Sequence, residues 1–149
     1  MQILALLALF TATSNAALPA GFRWCKGHTP LVQVTDISVG RVQAGGFATV
    51  RVKAKLSSVS VEQGSKLRLK GRWKWLTVID EQVDLCQSSQ LGGGDLCPFT
   101  PDADRVYDLV VKQPITNLAP KGIMVTVNVG AFNHNRVELM CFSFPVKIE

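Results

Sequence analysis

The four cysteines constrain the fold of this chain more than any other feature of its sequence. Cys25 follows an apolar leader, Cys86 and Cys97 lie close together in the middle, and Cys141 falls in the last apolar run. The C-x-x-C spacing typical of zinc sites is absent from the sequence, so we expect no metal site. Four cysteines allow three disulfide connectivities. This layout favours Cys25–Cys141 with Cys86–Cys97, in which the second bridge closes a short glycine-containing loop.

Residues 1–16 have the features of a secretory signal peptide. Residues 3–10 form an apolar run, and small residues at Ser14 and Ala16 precede the expected cleavage after Ala16. The run is shorter than the roughly 20 residues that a membrane span needs. Residues 17–149 then form one exported domain, which we expect to be secreted or to lie in the lumen of a vacuole or lysosome-like compartment. Such compartments are oxidising and favour paired cysteines.

Short segments of alternating apolar and polar residues, separated by turn signals, fill the chain between the cysteines. Residues 47–58 and 66–75 show the alternation most clearly, and in the second segment Leu69, Trp73 and Trp75 share one face. This period predicts strands, and no stretch has a convincing helical period. Further strands are predicted at 32–39 with a bend near Asp36, and at 81–86, 105–112, 123–129 and 136–148. The predicted fold class is all-β, an immunoglobulin-like antiparallel β-sandwich.

Basic residues alternate along 47–58 and 66–75, and Glu62 is the only acid between Arg41 and Ile79. If the two segments neighbour each other in one sheet, they form a basic plate. Two interpretations stay open: a solvated face that prevents aggregation, or attraction to anionic membranes. Nucleic acid is not expected, because no aromatic residues interleave with the exposed basic ones. The membrane-docking interpretation selects Lys66, Arg68, Lys70, Arg72 and Lys74.

The sequence contains no recognisable catalytic constellation. Neither His28 nor His134 has a nucleophile motif beside it. Asp80, Glu81 and Asp84 cluster before the second cysteine, but their spacing matches no calcium loop, and we interpret them as solvated loop charges. We therefore predict a binding protein rather than an enzyme, and no cofactor.

Several short segments together resemble the ML domain, the MD-2-related lipid-recognition family. The family includes Niemann-Pick C2 sterol carriers, mite group 2 allergens and fungal phosphatidylglycerol/phosphatidylinositol transfer proteins. The resemblance covers residues 22–148 and implies a two-sheet sandwich that holds a lipid between its sheets; it also supports the two disulfides. Sterol carriers have a further disulfide near the N-terminus that this chain lacks, which favours the phospholipid type. The matching segments are Cys25, Asp84-Leu85-Cys86, Cys97-Pro98-Phe99, Tyr107, Pro114-Ile115, Pro120-Lys121-Gly122 and residues 138–144.

The resemblance also implies positions around the lipid. It places a pocket mouth at Val78, Ile115 and Ala119, and Phe142 against the pocket. The apolar strand ends at 75–79 and at Leu118 are further candidates for the mouth, although all of these residues would fit an ordinary core equally well. The full predicted lipid-binding set is Leu69, Trp73, Trp75, Leu76, Val78, Tyr107, Leu109, Ile115, Leu118, Ala119, Val125, Val127, Phe142 and Phe144.

The predicted function is the transfer of a phospholipid or sterol between membranes. Moving an acyl chain of about 15 methylenes into water costs about 12 kcal/mol, so a carrier must shield the chain or dock on a bilayer. We expect a monomer that binds a lipid ligand and touches anionic membranes peripherally. The alternative is a recognition module that presents lipid to a receptor, or activates a hydrolase, through a protein partner.

Overall fold

The computed structural model describes residues 18–27, 31–56, 58–87, 91–94, 97–102 and 104–149. The predicted signal peptide and His28 lie outside these ranges. All regular elements of the described residues are strands, and none of these residues forms a helix long and apolar enough to cross a bilayer. The strands are β1 (Arg23–Trp24), β2 (Val32–Val39), β3 (Phe47–Leu56), β4 (Lys66–Trp73), β5 (Leu76–Asp84), β6 (Leu91–Gly94), β7 (Tyr107–Pro114), β8 (Met124–Phe132) and β9 (Glu138–Lys147).

The strands form two antiparallel sheets packed face to face. The larger sheet has five strands in the order β1-β9-β8-β4-β5, and the smaller sheet has four in the order β2-β3-β7-β6. The prediction of an all-β sandwich is therefore confirmed. The bend predicted near Asp36 is also present, because the pairing of β2 with β3 shifts register between Val34 and Asp36.

The period-two alternation determines which side chains fill the space between the sheets. On β3, Ala48, Val50 and Val52 are buried, whereas Thr49 and Arg51 are exposed. On β9, the rings of Phe142 and Phe144 are fully buried. Burial of each Val, Leu or Phe stabilises the fold by about 1.5–3 kcal/mol relative to exposure. The core is thus one continuous apolar layer between the two sheets.

The predicted basic plate is wrong, because β3 and β4 belong to different sheets. β3 pairs with β2 and β7, whereas β4 pairs with β5 and β8. The chain crosses from one sheet to the other after Leu56 instead of turning back as a hairpin. The basic side chains of the two strands therefore lie on opposite outer faces of the sandwich.

The strand predicted at 66–75 ends earlier, which moves Trp75 out of the interior. Trp73 pairs with Leu76, and the two residues between them form the turn of a hairpin. Lys74 has a φ of 53°, a left-handed backbone conformation that reverses the chain. Trp75 is consequently 79% exposed, and its predicted inward position is wrong.

The carboxylates predicted to lie in a solvated loop are instead on a strand. β5 begins at Leu76, before the predicted start at 81, and carries both Asp80 and Asp84. Lys66 Nζ lies 3.3 Å from an oxygen of Asp84, and Arg68 Nη2 lies 3.4 Å from an oxygen of Asp80. These carboxylates thus pair with the basic residues of β4 across the outer face of the larger sheet.

Both predicted disulfides are present, and both lie toward the same end of the sandwich. Cys25–Cys141 joins the N-terminal strand to β9, with 5.4 Å between the Cα atoms. Cys86–Cys97 joins the turn after β5 to the segment that precedes β7, with 5.0 Å between the Cα atoms. We call this the disulfide end. The opposite end, formed by the turn at 74–75 and the connections 40–46 and 115–123, we call the hairpin end.

Removing the two disulfides separately should destabilise the protein by unequal amounts. The bridges span 116 and 11 residues of sequence. Loop entropy then predicts losses of about 5 kcal/mol for Cys25→Ala with Cys141→Ala and about 3 kcal/mol for Cys86→Ala with Cys97→Ala. Urea unfolding followed by tryptophan fluorescence measures both. A larger loss from removing the short-loop bridge would contradict an entropic origin.

Candidate ligand-binding interior

Among the described residues, two small apolar cavities lie between the sheets. The first lies toward the hairpin end, has a volume of about 20 Å³, and is lined by residues including Val50, Val78 and Val127. The second lies toward the disulfide end, has a volume of about 40 Å³, and is lined by residues including Val52 and Leu109. Such volumes accommodate only a few water molecules. Any larger apolar guest therefore requires the sheets to move apart.

Phe142 and Val129 stand between the two cavities. Along β9, Phe144 lines the first cavity and Met140 lines the second, with Phe142 on the same face between them. Phe142 pairs directly with Val129 of β8, and its ring is 6.1 Å from that of Phe144. The apolar interior thus continues along the sandwich, with one small cavity on each side of these two side chains.

The structure brings most of the predicted lipid-binding residues to the interior. Six line the first cavity and two line the second, whereas Leu76, Ala119 and Phe142 are buried without lining either. Trp73 is half-buried, and Leu118, like Trp75, is exposed. The lining members are Leu69, Val78, Ile115, Val125, Val127 and Phe144 for the first cavity, and Tyr107 and Leu109 for the second.

Sequence reasoning found Tyr107 and Leu109 of the smaller sheet but missed the contribution of β3 and of two further β7 residues to these linings. Val50 and Val111 line the first cavity, and Val52 lines the second. The alternation along 47–58 had already placed Val50 and Val52 on one face, so the signal was present. Gln113, which also lines the first cavity, carried no such signal because it lies beyond the predicted end of its strand.

The hydroxyl of Tyr107 forms hydrogen bonds within the protein. It donates a hydrogen bond to the carbonyl of Thr100 at 2.8 Å and accepts one from the Thr100 N–H at 3.0 Å. The ring packs against Phe99 with 5.0 Å between the centroids. Tyr107 therefore offers the second cavity only the apolar part of its ring.

The three predicted mouth residues meet where β5 approaches the connection after β7. The N–H of Thr116 donates to the carbonyl of Val78 at 3.3 Å, joining the two sheets at this edge. Ile115 and Ala119 flank Thr116 and are buried. The N···O distance of this bond lies just above the usual range of 2.7–3.2 Å.

The other lateral edge of the hairpin end is held more firmly. The N–H of Glu149 donates to the carbonyl of Val42 at 2.8 Å, and Arg41 Nε lies 2.8 Å from the Glu149 carboxylate. Ile148 forms a bridge with Val42 at the same place. At the hairpin end, the β5 edge beside Val78 is thus joined by fewer polar contacts than the edge that holds Val42 and Glu149.

The most exposed large apolar side chains of the described residues all lie at the hairpin end. We call them the hairpin-end patch: Phe47, Trp75, Leu118 and Met124. Strand register places all four at this end, since Phe47 starts β3, Met124 starts β8, and the other two lie in the turn and connection that define it. Phe47 and Met124 belong to different sheets, so the exposed apolar side chains surround the end rather than cover one face. Exposed large apolar side chains that cluster at one end are typical of protein or membrane contact sites.

Charge is distributed unevenly along the sandwich. Of the carboxylates in the described ranges, Glu149 alone lies at the hairpin end, where Arg41 binds it. The disulfide end carries the carboxylates Glu62, Asp84, Asp102, Asp104 and Glu138, which are balanced by the basic residues Lys26, Lys55, Lys66, Arg105 and Arg136. The basic residues at the hairpin end, apart from Arg41, are Arg72, Lys74, Lys112, Lys121 and Lys147.

Two of these basic side chains lie over aromatic rings. Lys112 Nζ lies 4.9 Å from the ring centroid of Phe47, and Lys74 Nζ lies 4.6 Å from that of Trp73. Of the predicted membrane-docking residues, only Arg72 and Lys74 lie at the hairpin end. Lys66 and Arg68 lie nearer the start of β4, toward the disulfide end, and pair with carboxylates. The hairpin end thus combines exposed apolar surface with cations.

Candidate catalytic or metal-binding groups do not converge in the described part of the chain. No three His, Cys, Asp or Glu side chains there are placed to hold a metal ion. His134 lies in an exposed turn, where its Nδ1 is 2.9 Å from the side-chain oxygen of Asn133. Asn133 in turn bonds Ser65 and the carbonyl of Ser60, so this polar group has a structural role.

Comparison with known proteins agrees with this architecture. The family model of the ML domain matches residues 20–148. The Niemann-Pick type C2 protein from the Japanese carpenter ant has a similar structure, with a TM-score of 0.61 and 15% sequence identity over 85% of this chain and 99% of that one. At this identity the likeness concerns the fold. Comparison with curated proteins gives no significant match.

Removing the Phe142 ring should join the two cavities. Phe142→Ala deletes a fully buried ring, for which we expect a loss of about 3–5 kcal/mol in unfolding free energy. Benzene should recover part of this loss by filling the joined cavity, and urea unfolding with and without benzene measures it.

Phe22→Ala is the matched control for that experiment. Its half-buried ring packs against Phe142 from the edge of the sandwich, with 5.2 Å between the centroids. We expect a smaller loss and no benzene effect. Equal benzene effects in the two variants would contradict the division of the interior by Phe142.

Proposed function

The chain belongs to the ML-domain family, a family of lipid-binding proteins, and from this premise we propose that it transfers single lipid molecules between membranes. The apolar part of a phospholipid or sterol lies between the two sheets, and no covalent chemistry is involved. One observation carries the proposal: the interior is apolar along the length of the sandwich and already contains a cavity on each side of Phe142.

The energetics of lipid transfer require both an apolar interior and contact with the membrane. An acyl chain of about 15 methylenes costs about 12 kcal/mol in water, so free diffusion of the lipid is too rare to be useful. Burial of the same chain between the sheets recovers most of this free energy. It also offsets the cost of drawing packed apolar side chains apart when the sheets separate at the β5 edge.

Membrane docking is proposed to use the hairpin end. The hairpin-end patch offers apolar side chains that enter the bilayer interface, and the surrounding cations attract anionic lipid, each contributing about 1 kcal/mol near the surface. Val78 and Thr116, whose contact closes the β5 edge, belong to the same end. Docking there lets a lipid pass between bilayer and interior without crossing water.

The proposed setting is an exported, monomeric protein. Its two disulfides suit an oxidising compartment, either outside the cell or in a vacuole or lysosome-like lumen. Contact with the membrane is transient, since a carrier must leave the donor bilayer to reach the acceptor.

A transfer assay tests the proposed function. Donor vesicles containing fluorescent phosphatidylglycerol, or dehydroergosterol in a parallel series, are mixed with unlabelled acceptor vesicles and purified protein. We expect catalytic amounts of protein to accelerate transfer of at least one lipid, and native mass spectrometry to detect a one-to-one complex with it. Absence of both results would refute the proposal. Tight binding with slow release and a stable protein partner would favour a lipid-presenting module instead.

Truncating the hairpin-end patch should reduce transfer without reducing lipid affinity. Burial of a Trp or Leu side chain contributes about 1.5–3 kcal/mol, so Trp75→Ala with Leu118→Ala should weaken binding to phosphatidylglycerol vesicles by at least about tenfold. Vesicle co-sedimentation and the transfer rate measure this effect, and added salt should weaken binding further. Affinity for a dispersed lipid should stay unchanged, because both side chains lie outside the cavity linings.

Val137→Ala provides the control for the patch experiment. Val137 is an exposed apolar residue in the turn at the disulfide end. Its truncation should leave vesicle binding and transfer unchanged. A similar loss in this variant, or no loss in the double variant, would show that docking does not use the hairpin end.

A further inference from the structure

In the described part of the larger sheet, one position on the inward face has no side chain. On β4, Leu67 and Leu69 point inward and are buried, and Gly71 continues the same face. A glycine inside a strand weakens it, because it packs no side chain and loses more conformational entropy on folding. The backbone does not require glycine at this place, since the φ of Gly71 is not positive. The reason for the glycine must therefore lie in the packing around it.

The first cavity lies over Gly71. The residues of the larger sheet that line it surround this position, since Leu69 precedes it on the same face of β4, and Ile79 and Val127 are its cross-strand partners on β5 and β8. A Cβ atom at position 71 would lie 2.9 Å from Ile79 Cγ2 and 3.0 Å from Val125 Cγ1, too close for side chains that stay where they are. These two side chains thus lean over bare backbone, which leaves space between them and the smaller sheet.

A β-bulge opposite Gly71 adds a second β5 side chain at this place. Gly71 pairs with Ile79 and Arg72 pairs with Thr77, so Val78 is an extra residue on β5. Although Val78 and Ile79 are adjacent in sequence, both are buried and both line the first cavity. Bulges are typical of places where a strand re-aims a side chain. This one directs Ile79 over Gly71 and leaves Val78 at the predicted mouth.

We infer that Gly71 is a specificity-determining residue that sets the largest cross-section of apolar ligand admitted just inside the mouth. This inference rests on the proposed function, in which a lipid enters between the sheets past Val78. A side chain at position 71 would move Ile79 and Val125 toward the smaller sheet and narrow the interior along the path of the ligand. Without it, the interior has room for branched or ring-bearing apolar groups as well as for straight acyl chains.

Two alcohols that differ only in cross-section test the inference: 1-hexadecanol, and phytanol, which has the same main chain with methyl branches. Their affinities are measured by displacement of a fluorescent apolar reporter from the full protein. Because the hydroxyl and the main chain are the same, the ratio of the two affinities reports on width. We expect the wild type to bind both, and Gly71→Ala to weaken phytanol about tenfold more than 1-hexadecanol, an effect within the range for overpacking a core.

Gly130→Ala is the matched control. Gly130 lies on the outer face of β8, where an added Cβ atom would make an ordinary contact of 3.5 Å with the ring of Phe132. The affinity ratio should stay that of the wild type, because the same methyl group enters the same sheet without touching the interior. If Gly71→Ala also leaves the ratio unchanged, Gly71 has no role in selectivity, while the proposed function stands. If neither alcohol displaces the reporter from the wild type, the interior does not admit an acyl chain, and the proposed function itself fails.

Ile79→Ala keeps the test independent of the stability of Gly71→Ala. It removes the Cγ2 atom nearest to position 71, so it widens the place that Gly71→Ala narrows. Ile79→Ala should strengthen phytanol binding relative to 1-hexadecanol, and the double variant Gly71→Ala with Ile79→Ala should return the ratio toward the wild-type value. The inference is overturned if Ile79→Ala leaves the ratio unchanged, or if the double variant is as selective against phytanol as Gly71→Ala alone.

Discussion

The placement of both disulfides toward one end governs how the rest of the sandwich behaves. Cys86–Cys97 ties the end of β5 to the segment before β7, and Cys25–Cys141 anchors the N-terminal strand to β9. At the hairpin end the sheets rely on packing and hydrogen bonds. The bond between Thr116 and Val78 is long, whereas the one between Glu149 and Val42 is short. The sheets can therefore part at one edge of one end while the remaining frame keeps its register.

Separating the sheets costs free energy mainly because packed side chains lose their contacts, and a bound lipid can replace those contacts. Protein interiors are packed as densely as organic crystals, so opening a channel exposes side chains that had packed against each other. The two cavities reduce this cost, because the lining residues beside Phe142 already lack some neighbours. An acyl chain that fills the channel restores van der Waals contact with the walls.

Local patterns in the sequence predicted the strand faces and the disulfides. They could not predict which strands share a sheet or where each strand ends, because long-range pairing determines both. Alternation identified Val50, Leu69 and Val127 as inward positions. The same alternation fits any choice of neighbouring strand, so it could not decide whether β3 and β4 share a sheet, and the structure places them in different sheets. The boundary of β7 shows the same limit. The predicted strand ended at 112, whereas pairing with Phe47 and Ala48 extends it to Pro114 and turns Gln113 inward. The sequence analysis therefore missed Gln113, because the end of its strand is determined by pairing with β3.

The uneven distribution of charge and exposed apolar surface makes the two ends of the sandwich different, so one end is favoured for contact with a membrane. Cations exceed carboxylates at the hairpin end, which also carries the hairpin-end patch, whereas basic and acidic residues balance at the disulfide end, so an anionic bilayer attracts the hairpin end more strongly. This orientation brings the weakly held β5 edge to the membrane.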